Sequence, residues 1–289
     1  MDRCWCGNNQ LVEYSDDYYL CKECGTLVTK KDIDDSIYDV RDEDDDLYGK
    51  NYWEEKMVKL SGESSVDGLI QQYLGGRVIY WIKYILKYIP VGSSVAEVGC
   101  GLGQLAYMMK SMGYQQKVYE ISPEVCKFLR HEMGLEVVCG ELGSINEIYE
   151  AILSFDVLEH LSNPKVFVEE CSQRLWGRGI FCCQTPCYND EWTYEEMLLN
   201  RPDFKGLLVP EQHIYIFSKK SITKLLGEAG FSDIRFETPA FGDNYDMFLF
   251  AAKDRMDVLS QEDVDRTLSN SPNGRLVRVL IDFFERLSR

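Results

Sequence analysis

The sequence predicts an α/β protein with a small cysteine-rich module at its N-terminus and a helical tail at its C-terminus. Three observations predict it. A β-branched run, Ser94 to Val98, enters a glycine-rich turn, and a helical pattern from Gln104 to Met112 leaves it, the strand–turn–helix order of a parallel sheet. Two tight cysteine pairs, Cys4-Trp5-Cys6 and Cys21-Lys22-Glu23-Cys24, stand near the start of the chain. Beyond Lys253, Leu276, Leu280, Phe283, Phe284 and Leu287 lie on one helical face. The 289 residues suffice for one generous domain plus a small module, and 45% hydrophobic with 27% charged residues excludes a disordered or fibrous chain.

Met1 to about Lys31 is the first element. Cys4, Cys6, Cys21 and Cys24 could close a tetrahedral four-thiolate zinc site, and Gly7 and Gly25 after the pairs let backbone amides approach the sulfurs. Leu11 to Leu20, with Tyr14, Tyr18 and Tyr19, suits a small hairpin, so residues 1–31 read as a zinc ribbon whose folding energy comes mostly from its structural Zn2+. Four unpaired thiols in a frayed tail are the bland alternative. Residues 32–60 are acidic, from Asp32 through Asp46, and read as a solvated linker; Tyr48, Tyr52 and Trp53 begin something more ordered. Val78, Ile82, Ile85 and Ile89 then recur at helical spacing up to Pro90, in a helix that should cover one face of the sheet.

Glu97-Val98-Gly99-Cys100-Gly101-Leu102-Gly103 is the centre of the chain. Its glycines let a ligand lie against the backbone, and the helix that follows offers unpaired amides. A second strand, Lys117 to Tyr119, ends at Glu120, an acid placed to accept ribose hydroxyls. Gln104 and Leu105 stand where a dinucleotide site would want its third glycine. Glu97, two residues before the first glycine, would repel a pyrophosphate but hold a cationic amino-acid moiety. Both details favour S-adenosylmethionine over a dinucleotide; a glycine turn with no ligand is the alternative.

These residues, with Phe155-Asp156-Val157-Leu158-Glu159-His160-Leu161, resemble the class I S-adenosylmethionine-dependent methyltransferases. Val209-Pro210-Glu211-Gln212-His213-Ile214-Tyr215-Ile216-Phe217-Ser218, a helix and Glu228-Ala229-Gly230-Phe231 are similar to a subgroup of sugar and glycan pathways that carries an N-terminal zinc module. The resemblance covers residues 1 to about 252 and implies a Rossmann-like seven-stranded sheet over residues 61–253, its last strands at Ile234–Thr238 and Met247–Ala252. It also implies roles. Glu97 would reach the methionine amino group, Gly99, Gly101 and Gly103 would line the cofactor, and Glu120 would hold the ribose with Ile121 beside it. Glu141 and the Leu142 amide would meet the adenine, and Phe155 and Asp156 would sit beneath the cofactor. The first knuckle departs from the commoner Cys-x-x-Cys, and Gln212 separates Glu211 from His213 where many relatives join Glu and His.

A methyl already activated by a sulfonium needs an aligned nucleophile and, for a hydroxyl or carbon acid, a base. Histidine titrates nearest neutrality, and the chain has His131, His160 and His213. His131 reads as a surface residue; His213 and His160 are the catalytic candidates, the latter with helix capping as its alternative. Glu211, Tyr215 and Tyr188 are substrate candidates. Thr185 to Val209, with Trp192 and Tyr194, reads as a lid whose aromatic faces suit a sugar, or as an ordinary helical excursion, and Cys182, Cys183 and Cys187 read as core. Residues 254–289 are expected to pack against the body or a second subunit, in a homodimer, rather than on a membrane surface.

The expected function is O-methylation of a small acceptor, sugar-linked or phosphorylated. C-methylation of a nucleotide-linked ketosugar is one alternative, and a non-catalytic partner-binding protein with a vestigial cofactor fold is another. A net charge of −17 opposes nucleic acid as a partner. Eleven cysteines leave at least one unpaired, and neither a signal pattern nor an apolar run of about 18 residues is present, so the expected location is the cytoplasm.

Overall fold

A computed structural model of the chain describes residues 2–33, 40, 76–238 and 246–287. Most of the acidic linker, with Tyr48, Tyr52 and Trp53, lies outside the described residues. The strands are β1 (Leu11–Glu13), β2 (Tyr18–Cys21), β3 (Leu27–Thr29), β4 (Ser94–Val98), β5 (Gln115–Glu120), β6 (Glu136–Cys139), β7 (Tyr149–Phe155), β8 (Leu175–Pro186), β9 (Tyr215–Ile216), β10 (Asp233–Glu237) and β11 (Asp246–Ala252). The helices are α1 (Arg77–Tyr88), α2 (Gln104–Met112), α3 (Pro123–His131), α4 (Pro164–Gln173), α5 (Tyr194–Asn200), α6 (Lys219–Glu228), α7 (Gln261–Asn270) and α8 (Gly274–Leu287). One sheet has four strands in the order β1-β2-β3-β9; the other has seven, in the order β10-β11-β8-β7-β4-β5-β6, the mixed Rossmann-like sheet expected.

The fold divides into two compact units, residues 36–153 with 256–289 and residues 1–35 with 154–255. Each terminal extension is grouped with a segment distant in sequence, and the expected boundary at residue 60 lies outside the described residues.

In the first unit β4, β5 and β6 run parallel, with Val95 opposite Gln116 and Val118 opposite Val137. Val78, Ile79, Ile82, Ile85 and Leu86 form the buried face of α1. The helix ends at extended Ile89 because a residue before proline is pushed out of the α region. The tail belongs to this unit: the Leu259 amide donates to Lys87 O at 2.8 Å, Asn273 Nδ2 to Ser111 O at 3.0 Å, and Lys83 pairs with Glu285 at 2.9 Å. The apolar face expected on α8 is split. Val277 is buried and Leu280 and Phe284 half-buried, whereas Leu276 is 58% and Phe283 55% exposed. Arg275, Arg278, Asp282, Glu285 and Arg286 gather on one side of this helix, and the apolar side opposite is wide enough that only its part around Val277 and Phe284 is covered.

In the second unit β8, β11 and β10 are antiparallel neighbours, and every residue of β11 is buried. Cys182, Cys183 and Cys187 are buried, as expected of core residues. The cysteine module is joined to this unit by β3–β9 pairing, Leu27 opposite Ile216. It also shares a core with it, made of Tyr18, Leu27, Tyr188, Met197, Phe204, Leu207 and Ile216. The module therefore packs on this unit as well as on itself. The expected lid is an ordered excursion: Thr193 and Glu196 form a capping box on α5, and Met197, Phe204 and Leu207 are buried in the shared core. No helix among the described residues is long and apolar enough to cross a membrane.

Candidate active site

The glycine turn lies in the first unit. Gly99, Gly101 and Gly103 have φ of +69°, +54° and +76°, a region that strains other residues. A Cβ on Gly103 would also lie 2.5 Å from Leu129 Cδ2. Backbone bonds hold the turn: the Gly99 amide donates to Tyr119 O at 2.8 Å and the Gly103 amide to Cys100 O at 3.0 Å. The Glu120 carboxylate accepts from the Ser122 amide at 3.0 Å and from the Ile121 and Gly101 amides, while the Gly140 amide donates to Glu120 O at 2.9 Å. The ends of β4, β5 and β6 are thus tied around Glu120. No side chain caps α2, so its first-turn amides face the turn without a side-chain acceptor.

Glu97 is 5% exposed, and its Oε2 has no hydrogen-bond partner among the described residues. Loss of solvation pushes its carboxyl up to about 8. Desolvation pushes Glu120 up to about 7 against the opposing pull of its three amides. Two buried acids beside a glycine turn fit a ligand that brings a cation and hydroxyl donors, which would offset the cost of burying them. S-adenosylmethionine has these features, an ammonium and ribose hydroxyls. Ile121 follows β5 half-buried, and Glu141 is an exposed residue at the start of the 3-10 turn Leu142–Ser144. Leu142 is buried.

The histidines lie in the second unit. His160 ends the 3-10 turn Leu158–His160, and His213 precedes β9. The Ile214 amide donates to Glu159 O at 2.7 Å and brings the two segments together, with ring centroids 5.0 Å apart. His160 Nδ1 donates to Gln212 O at 2.8 Å and His213 Nδ1 to Leu207 O at 2.7 Å. A carbonyl only accepts, so each neutral ring carries its proton on Nδ1 and its lone pair on Nε2. Burial pushes His160 down to about 4, with His213 adding to the effect, and pushes His213 down as well. Both rings are therefore neutral proton acceptors near pH 7.

Glu159, which sequence reasoning did not select, completes this cluster at 1% exposure. Its Oε2 accepts from Thr185 Oγ1 at 2.9 Å, and its Oε1 lies 3.8 Å from His160 Nε2. Burial raises its carboxyl well above the ordinary range, and the charges of Asp156 and Asp246 raise it further. Its place beside His160 was the available signal. Asp156 follows β7 with a left-handed φ of +55° and accepts from Gln184 Nε2 at 3.1 Å. Phe155 closes β7 and packs on Phe248, centroids 6.0 Å apart.

The other substrate candidates are placed differently from the expectation. The Glu211 side chain is 64% exposed and pairs with Lys31 at 3.5 Å, outside the histidine cluster. Tyr188 is buried, donates to Gly25 O and meets Tyr14 edge-on, so it packs the cysteine module rather than offering an open face. Tyr215 is 2% exposed with its hydroxyl 3.4 Å from Ser162 O. His131 is exposed at the end of α3, as expected.

The sulfurs of Cys4, Cys6, Cys21 and Cys24 all lie within 4.8 Å of one another, with Cys4–Cys24 at 3.5 Å and Cys6–Cys21 at 3.6 Å. Tetrahedral zinc with bonds of about 2.3 Å sets sulfurs about 3.8 Å apart, so these residues could hold it. Gly7 and Gly25 adopt left-handed φ and donate to Cys4 O and Cys21 O at 2.8 and 2.9 Å, which closes both knuckles. Trp5 Nε1 and Cys24 Sγ both meet Thr26 Oγ1, at 2.8 and 3.1 Å.

Comparison with known proteins places the chain in a family. Residues 70–235 match the family model described as a methyltransferase domain. The ubiquinone biosynthesis O-methyltransferase of Xylella fastidiosa is 30% identical over 109 residues, covering 34% of this chain and 44% of that protein. The enzyme of the same name from Dinoroseobacter shibae is 24% identical over 161 residues, covering 50% and 61%. The chain thus spans about half the length of the curated relatives it matches. Among solved structures, a chain of a Haloferax volcanii methyltransferase-activator complex aligns with TM-score 0.51 at 10% identity, over 69% of this chain and 97% of that one, a likeness of fold. Magnesium protoporphyrin IX methyltransferase from Synechocystis with bound SAH aligns with TM-score 0.48 at 19% identity, over 64% and 83%. The chain belongs to the methyltransferase-domain family of S-adenosylmethionine-dependent enzymes.

Proposed function

We propose that this protein transfers a methyl group from S-adenosylmethionine to a hydroxyl oxygen of a small acceptor. The observation that carries the reading is Glu97 Oε2, buried without a partner beside a turn of left-handed glycines. Bound S-adenosylmethionine supplies a methyl already activated on its sulfonium. Glu97 would hold the amino group, Glu120 the ribose hydroxyls, and the Leu142 amide the adenine, while Gly99, Gly101 and Gly103 would line the cofactor. His213 Nε2 would take the acceptor proton, with His160 as the second base candidate; both rings are neutral and fixed by Nδ1–H bonds to carbonyls.

Oxygen as the target is supported by the printed names of the curated relatives, which are O-methyltransferases. Sugar-linked or phosphorylated hydroxyls are the first acceptor class proposed, and phenolic hydroxyls the second, on the strength of those relatives. The four thiols of the N-terminal module would hold a structural zinc ion, supported by their mutual spacing. Exposed Leu276, Val279 and Phe283 on α8 support self-association through that helix.

Methyl transfer from labelled S-adenosylmethionine to a panel of nucleotide sugars, sugar phosphates and phenols tests the reading. O-methylated product from one class supports it. Failure of every hydroxyl, with product from a carbon acid, overturns the choice of oxygen.

A further inference from the structure

We infer that Glu159, His160 and His213 form a divalent-cation site, separate from the four-cysteine cluster. Each offers a ligand atom, and these atoms all lie within 4.8 Å of one another. Two imidazoles and a carboxylate are a donor set suited to zinc and its first-row neighbours, with positions left open for solvent or substrate.

The surroundings match what ligating residues need. A histidine that binds metal through Nε2 usually donates Nδ1–H to a fixed acceptor, which sets tautomer and ring orientation. Both histidines do so, to Gln212 O at 2.8 Å and Leu207 O at 2.7 Å. Thr185 Oγ1 holds Glu159 Oε2 at 2.9 Å, while Oε1 lies 3.8 Å from His160 Nε2. Bonds of about 2.0–2.2 Å place neighbouring ligand atoms about 3.0–3.6 Å apart, so small side-chain rotations would close the set. The Ile214–Glu159 backbone bond at 2.7 Å keeps the two ligand-bearing segments in register. Histidine pairing with a buried acid would need no second carbonyl-locked imidazole, whereas a cation uses all three groups. An ion bound here would occupy the His213 Nε2 lone pair that the proposed base uses, so it would take over that role by lowering the pKa of a coordinated hydroxyl.

Metal binding itself tests the site, independently of methyl transfer. Full-length protein, stripped by chelator under reducing conditions, is titrated with Co2+. The wild type is expected to take up one ion with an intense thiolate charge-transfer band and a second without sulfur character. His213→Ala should abolish the second and keep the thiolate band, and Glu159→Gln should weaken the second at least about tenfold. Circular dichroism checks that the variants are folded. In the wild type, which needs no variant, uptake of thiolate-bound Co2+ only would overturn the site. So would a second ion retained unchanged by both His160→Ala and His213→Ala.

Discussion

Glu97 in one unit and Glu159 in the other are both buried acids, 5% and 1% exposed, and they are compensated in opposite ways. Glu159 sits among groups supplied by the fold: the Thr185 hydroxyl, the His160 ring and, through it, His213. Glu97 has an oxygen with no partner among the described residues, in a protein that carries excess acid already. A buried acid without compensation costs stability, and such a cost is retained where a ligand removes it. The difference separates a binding carboxylate, completed from outside, from a cluster assembled in advance.

The largest effect expected is on turnover. His213→Ala should lower kcat by about 10²–10⁴, the usual worth of a general base, while S-adenosylhomocysteine affinity stays within about twofold. Equal losses in both would merge the two regions that the comparison separates.

A pH series follows in size. The Glu97 carboxyl rises from 4.5 to about 8 on folding, so the folded state holds a proton that the unfolded chain has released. Its contribution to stability is complete below about pH 4.5 and is lost as pH rises through about 8. Cofactor-free protein should therefore lose denaturant stability across that window, and Glu97→Gln should flatten the profile. S-adenosylhomocysteine affinity should rise across the same window as Glu97 ionises.

The smallest effect expected is at Thr185. Thr185→Val removes the hydroxyl that holds Glu159 Oε2 and should cost about 1–2 kcal/mol of unfolding free energy, with cofactor affinity unchanged. A matching loss of affinity would show that the two acids act as one site.

The glycine turn and the cysteine pairs were legible because their chemistry is local. The conformation of Gly99 to Gly103 and the spacing of Cys21 and Cys24 are set within a few residues. The histidine cluster is legible only in part: both rings stand out in the sequence, but so does Glu211, two residues before His213 and exposed in space, rather than Glu159. Glu159 is local to His160, but His213 is brought to the pair by one backbone bond between distant segments, which no local pattern encodes. Tyr188 was read as a sugar face because its aromatic character was visible and its partner Gly25 was not. On α8 the apolar side is legible and the part of it that is buried is not, since that side is wider than the surface it packs on.

Calorimetric titration with S-adenosylhomocysteine at pH 8, comparing wild type with Glu97→Gln, tests the central claim most directly. The account predicts micromolar binding by the wild type and a loss of about 10- to 100-fold in the variant, the worth of a charge-assisted hydrogen bond of about 1.5–3 kcal/mol. Equal affinity in the two proteins, or no binding by folded wild type, would contradict it.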